Sequence, residues 1–282
     1  MSGYLEGVLV LLAINAILAY AAFLPIVAGQ LNLGIAGFVA AGAYFSAYLS
    51  NEFGVPPTVA ALAAAVFAGL IGLIVSFPLL RTRGIYLALA TFAFGQVVQA
   101  TILNLNVVGG AAGYPVREFV GFGVIGAFAL AVVAAVYLLF STRFGISITA
   151  VSDDETAADL MGLSVRGLQT AAFTIGAAIA GLAGALYAHH FSYIEAQNYT
   201  VLFSIYIVLY VLLGGTQTIF GPLLGAAVFT LLPEFLRGSA EWRYVIFACL
   251  ILALMAWRPQ GAVTVDLVRR LLRNRRPEGE RA

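Results

Sequence analysis

Residues 7–28 read GVLVLLAINAILAYAAFLPIVA, a run without a single charge. An α-helix needs about 20 mostly apolar residues to cross the hydrocarbon core of a bilayer, and this run supplies them. Comparable runs recur near residues 35–50, 57–80, 84–104, 119–140, 167–189, 199–214, 217–236 and 242–257. Over its 282 residues the chain is 62% hydrophobic and only 10% charged, where a soluble domain carries about 25% charged residues. Such a sequence has too little polar surface to cover itself in water. The expected fold is all-α, a polytopic transmembrane helix bundle of about nine spans, with a range of roughly eight to ten because the 35–50 run is short.

No polar stretch between the runs is long enough to fold separately. One transmembrane domain is expected over residues 1–264, followed by an arginine-rich cytoplasmic tail at 265–282. The single cysteine, Cys249, has no partner for an intrachain disulfide. The first run lacks a basic flank and a small-residue cleavage site, so it reads as a retained helix. All 14 basic residues are arginine. With nine spans, one set of loops and the tail collect Arg81, Arg83, Arg143, Arg166, Arg258 and the arginines from Arg269 to Arg281, leaving Arg117, Arg237 and Arg243 on the other side. Basic residues in short loops stay in the cytoplasm. The C-terminus is therefore expected inside and the N-terminus outside.

Two interruptions of the apolar pattern carry the functional signal. Gly29-Gln30-Leu31-Asn32-Leu33-Gly34 separates the first two runs. Irregular backbone at membrane depth is tolerated where protein or a water-filled cavity satisfies it, and such breaks mark solute sites in other transporter folds. Gly29, Gln30, Asn32 and Gly34 are thus candidates for the translocation pathway, together with Thr91, Gln96, Gln99 and Asn15. Thr91, Gly95 and Gln99 recur every four residues on one helical face. An equal reading of each polar side chain is a hydrogen bond between helices.

The second interruption spans 141–166, where the other connections are short. Ser152-Asp153-Asp154-Glu155 has the form of a capping box, with the serine accepting the third amide and the glutamate reaching back to the cap amide. The acidic residues suit the positive end of a helix dipole, and Gly162 suits a left-handed stop. A cytoplasmic helix of about two turns is expected there. So short a helix is marginal alone, and its Ala157, Ala158, Leu160 and Met161 need a partner, the bilayer surface or the underside of the bundle to pack on.

The composition also excludes chemistry. A phosphate-loop ATPase needs a lysine in a glycine-rich loop, and the chain has no lysine. The spans hold almost no ionisable residues, whereas ion-coupled carriers bury functional Asp, Glu or His. His189 and His190 point to different faces of one helix and read as interfacial anchors. No catalytic residue, cofactor, metal site or nucleic-acid partner is expected. Gly176, Ala180 and Gly184, and likewise Gly221 and Gly225, are spaced to let membrane helices approach closely.

Glu155-Thr156-Ala157-Ala158, followed by Gly162, resembles the Glu-Ala-Ala motif of ABC importer permeases. It keeps company, in order, with the 29–34 segment, with RGIYLALAT at 83–91, with AGLAGALYA at 180–188 and with LGGTQTIFGPLLGA at 213–226. Together these resemble the LivM-type permease subunit of branched-chain amino acid ABC importers over nearly the whole chain. The resemblance implies that Asp154, Glu155, Ala157, Ala158, Leu160 and Gly162 form a coupling helix docked on an ATPase. It further implies two cytoplasmic ABC ATPase subunits, a second homologous permease in a heterodimer, a periplasmic solute-binding protein and a bacterial inner membrane. Related permeases serve other amino acids, urea or short amides. A stand-alone carrier or channel would explain the hydrophobicity but not the capped cytoplasmic helix. Family members usually carry arginines leading into the coupling helix, where Ile146, Thr149 and Ser152 stand here.

Overall fold

In the computed structural model, which describes residues 2–235, the chain forms ten α-helices: α1 (Ser2–Val27), α2 (Ile35–Phe53), α3 (Pro57–Leu79), α4 (Ile85–Asn104), α5 (Phe122–Phe140), α6 (Arg143–Asp153), α7 (Glu155–Leu160), α8 (Val165–Phe191), α9 (Val201–Gly214) and α10 (Gly221–Phe235). Every apolar run that falls on these residues is a helix. The run at 242–257, the tail and Cys249 lie outside the described residues. Five helices, α1, α3, α4, α5 and α8, are long and apolar enough to cross a membrane. At 14 residues, α9 is shorter, roughly 21 Å at 1.5 Å per residue, and the described part of α10 has 15 residues.

A helix that is apolar on every side can lie in the middle of a bundle or face lipid, and burial separates the two. α1 is of the first kind, with nearly every side chain from Ile14 to Leu24 buried. Beside it runs α8, which also touches α2 and α3. Small residues make this possible. A Cβ on Gly181 would collide with the Ala68 side chain, one on Gly184 with the Val39 carbonyl, and one on Gly42 with the Gly181 backbone. Gly176 packs on Ala21 and Pro25 of α1, where the missing proline N–H leaves the Ala21 carbonyl free of its helical bond. The α9–α10 hairpin closes in the same way, with Gly225 against the Tyr210 carbonyl and Gly214 against Gly221.

At the end opposite Arg81 and Arg83, β1 (Tyr114–Pro115) and β2 (Tyr193–Ile194) form a two-stranded antiparallel ladder, a small addition to the expected all-helical architecture. Asn51 Nδ2 donates to the Pro115 carbonyl at 2.7 Å, and the Tyr44 hydroxyl to the Ile194 carbonyl at 3.3 Å. His189 belongs to this cap. It is fully buried rather than interfacial, which corrects the expectation from sequence. Nδ1 lies 3.0 Å from the Glu118 carbonyl and must carry the proton, because a carbonyl only accepts; Nε2 then accepts from the Ser46 hydroxyl at 2.9 Å. His189→Leu is expected to lower stability by about 2 kcal/mol, since it leaves the Ser46 hydroxyl buried and unpartnered. Thermal unfolding of the purified protein reads this as a lowered midpoint, with Ser46→Ala/His189→Leu recovering part of the loss.

Candidate functional site

α6 is the element that sequence reading passed over. Thr142 caps it by accepting from the Phe144 amide at 3.3 Å, and Phe144, Ile148 and Val151 turn one face to the bundle. That cap and that spacing are both legible signals. Because α6 continues to Asp153, the capping box expected at Ser152 does not form. Asp154 is the cap instead, its Oδ1 accepting from the Thr156 amide at 2.8 Å and the Ala157 amide at 3.0 Å. Gly162 ends α7 as expected, with φ at +82°. Its amide bonds Asp159 O at 2.9 Å and the Leu163 amide bonds Ala158 O at 3.1 Å, the crossed pair of a Schellman stop. Ala158 packs inward, Ala157 faces out, and Leu160 and Met161 are each 85% exposed. Ile146, Thr149 and Ser152 are exposed along α6.

Glu155 is freed from capping and does something else. Its Oε2 lies 3.3 Å from Arg83 Nη1, and its Oε1 accepts from Gln169 Nε2 at 2.9 Å. The same Gln169 amide reaches the Ala28 carbonyl at 3.4 Å. One side chain of α8 thereby joins α7 to the end of α1. The Arg83 side chain is 82% exposed, so the ion pair adds little by itself; the part-buried Gln169 contact is the stronger tie. Nothing local marks Gln169 in the sequence.

The 29–34 segment is non-helical, and its backbone is held by α1 carbonyls, by its own Asn32 and by Thr91 of α4, with Ser204 of α9 bonding the first turn of α2 just after it. Leu33 N donates to Thr91 Oγ1 at 3.0 Å, Gly34 N to Asn32 Oδ1 at 2.8 Å, and Ala36 N to Ser204 Oγ at 2.9 Å. Gly29 takes φ +75°, and Gly34 lies so close to the Thr91 carbonyl that no Cβ fits. Thr91 and Asn32 thus hold the break in shape. Gln30 is different: it is 2% exposed, and neither amide atom has a hydrogen-bond partner among the described residues. Gly95 packs on Gly34 and Gly37, so the Thr91–Gly95 face of α4 is covered by α2. Gln99 Nε2 donates to the Ala196 carbonyl at 3.0 Å, Gln96 is half-buried, and Asn15 Nδ2 donates to Thr230 Oγ1 at 2.9 Å. The structure therefore gathers the α7 residues, the 29–34 break and Thr91 at one end, and leaves Gln96 and Gln99 away from it.

The family described as branched-chain amino acid transport system / permease component matches residues 4–255. Over 290 residues the chain is 31% identical to the high-affinity branched-chain amino acid transport system permease protein LivM of Escherichia coli (strain K12), covering 90% of this chain and 68% of the relative. The LivM protein of Salmonella typhimurium (strain LT2) is 30% identical over the same shares. The probable branched-chain amino acid transport permease protein LivH of Methanocaldococcus jannaschii is 24% identical, covering 93% of this chain and 90% of the relative. No solved structure matches. The match takes in every helix described above, and the chain belongs to the family of branched-chain amino acid transport system permease components.

Proposed function

We propose that this chain is the LivM-type half of the translocation pathway of an ABC importer for branched-chain amino acids. It would sit in a bacterial inner membrane with its N-terminus outside and its C-terminus in the cytoplasm. Two cytoplasmic ATPase subunits supply the hydrolysis for which this lysine-free chain has no residues. A second homologous permease completes the pathway, and a periplasmic binding protein delivers the solute. The likeness to both a LivM and a LivH protein supports such a pair.

One observation carries the proposal. α7 presents Leu160 and Met161 outward, and Glu155 at its start is tied through Gln169 to the carbonyl that precedes the 29–34 break. An ATPase that grips α7 and moves it by an ångström or two transmits that movement to Gln30 through hydrogen bonds and packed helices, which shift between discrete arrangements rather than stretch. Gln30, whose amide has no hydrogen-bond partner among the described residues, is the polar side chain beside the break that such a movement would bring to the pathway. The small cavity between α1, α2, α8 and α9 measures about 120 Å³ and has no charged residue in its lining, which includes Ile14, Leu18, Tyr187, Asn198 and Phe203. An amino acid zwitterion is poorly served there, which favours a route along the surface shared with the second permease.

The test is uptake of labelled leucine by the complex reconstituted in liposomes, with urea in parallel. The expected result is leucine uptake that requires ATP, the ATPases and the binding protein. Uptake that persists without the ATPases overturns the importer reading, and uptake of urea alone reassigns the solute.

A further inference from the structure

α3 and α8 touch where their residues are small and part where they are large. Gly69 and Gly72 meet Ala178 and Ala177 at the crossing. Toward the Arg81 end, Leu73 and Phe77 of α3 face Ile175 of α8 across a cleft of about 680 Å³. Its lining includes Thr174, whose Oγ1 is buried without a hydrogen-bond partner among the described residues. Phe77 is 65% exposed, so the cleft opens sideways toward the hydrocarbon. At its mouth stand Arg81, just after α3, and Arg166, in the first turn of α8. Among the described residues neither is ion-paired, in contrast to Arg83. The α8 cap residue, Ser164, makes no side-chain capping bond, which leaves the positive end of the α8 dipole turned to the same mouth.

We infer that this cleft binds an anionic glycerophospholipid of the surrounding membrane. The phosphate sits between the Arg81 and Arg166 guanidinium groups, whose planar forks match phosphate oxygens, and an acyl chain lies along Phe77, Leu73 and Ile175. A free phosphate offers the same oxygens but has no tail for the apolar walls to bury. A zwitterionic lipid brings a cation to a mouth that already holds two. The occupant braces α3 against α8 close to the Arg83–Glu155–Gln169 contacts. The inference stands apart from the transport reading, since it needs only a membrane on the open side of the cleft.

Native mass spectrometry of the assembled complex, titrated with phosphatidylglycerol and with phosphatidylcholine, reads the site directly. The Arg81→Gln/Arg166→Gln pair is expected to weaken phosphatidylglycerol binding about 30-fold and each single change about fivefold, following the attraction of each basic side chain for anionic lipid. Arg81→Lys/Arg166→Lys, which keeps the charge, is expected to retain most of it and shows that the folded cleft is intact. Phosphatidylglycerol binding unchanged in the glutamine pair overturns the inference. So does equally tight binding of inorganic phosphate in the same titration, which would make the mouth a site for a soluble anion. Loss of a protein subunit in place of lipid overturns it as well, by making the cleft a protein interface.

Discussion

Glu155→Ala is expected to leave the bundle folded and to lower ATP-driven leucine uptake by about tenfold or more, the scale on which a coupling free energy between two sites is lost. The carboxylate does not build the helix it begins, because Asp154 provides the cap. Removing it therefore spares α7 and cuts its connection to Gln169 and, beyond it, to the Ala28 carbonyl. Glu155→Gln keeps an acceptor for Gln169 and loses only the exposed pair with Arg83, so a much smaller loss is expected. Gln169→Ala should resemble Glu155→Ala, and the double variant should be no worse than either alone, since residues of one network do not add. The measurement is uptake beside ATP hydrolysis in the same proteoliposomes. Hydrolysis that continues while uptake falls marks a broken connection, whereas wild-type uptake by Glu155→Ala removes Glu155 from the coupling path.

The largest effect on the fold is expected at Gly184. A side chain there meets the Val39 carbonyl, which is backbone and has no rotamer to yield. Gly184→Val must push α8 off α2, and the strain of overpacking, about 1–3 kcal/mol even where side chains can adjust, is compounded by the loss of the neighbouring Gly42–Gly181 approach. Little monodisperse protein should be recovered. Gly123→Ala is the matched control, because nothing lies within 4 Å of a Cβ at that position, and an alanine in an open helical site is neutral or slightly favourable. Recovery of both variants by size-exclusion chromatography decides the matter, and normal assembly of Gly184→Val would mean that the α2–α8 crossing can relax.

The membrane helices and the end of α7 were legible because they depend on neighbours in the chain. An apolar run of sufficient length selects lipid and helix together, and Gly162 alone supplies the positive φ that the stop requires. The start of α7 was misread at Ser152 for a reason equally local: Thr142, Phe144, Ile148 and Val151 begin an earlier helix that absorbs Ser152 and Asp153 before the cap.

The roles of the polar residues were not legible in this way. Thr91, Asn32, Gln99 and Asn15 looked alike as candidates, and each is in fact hydrogen-bonded, while Gln30 is buried with neither amide atom paired among the described residues. Gln169 bore no mark at all and proves to join Glu155 to Ala28, which lies 141 residues before Gln169 in the chain. Helix formation and helix stops follow from periodicity, capping and backbone angles over a few residues. Whether a buried amide is satisfied depends on which helix lies against it, and that is settled when α8 packs at backbone distance on α1, α2 and α3.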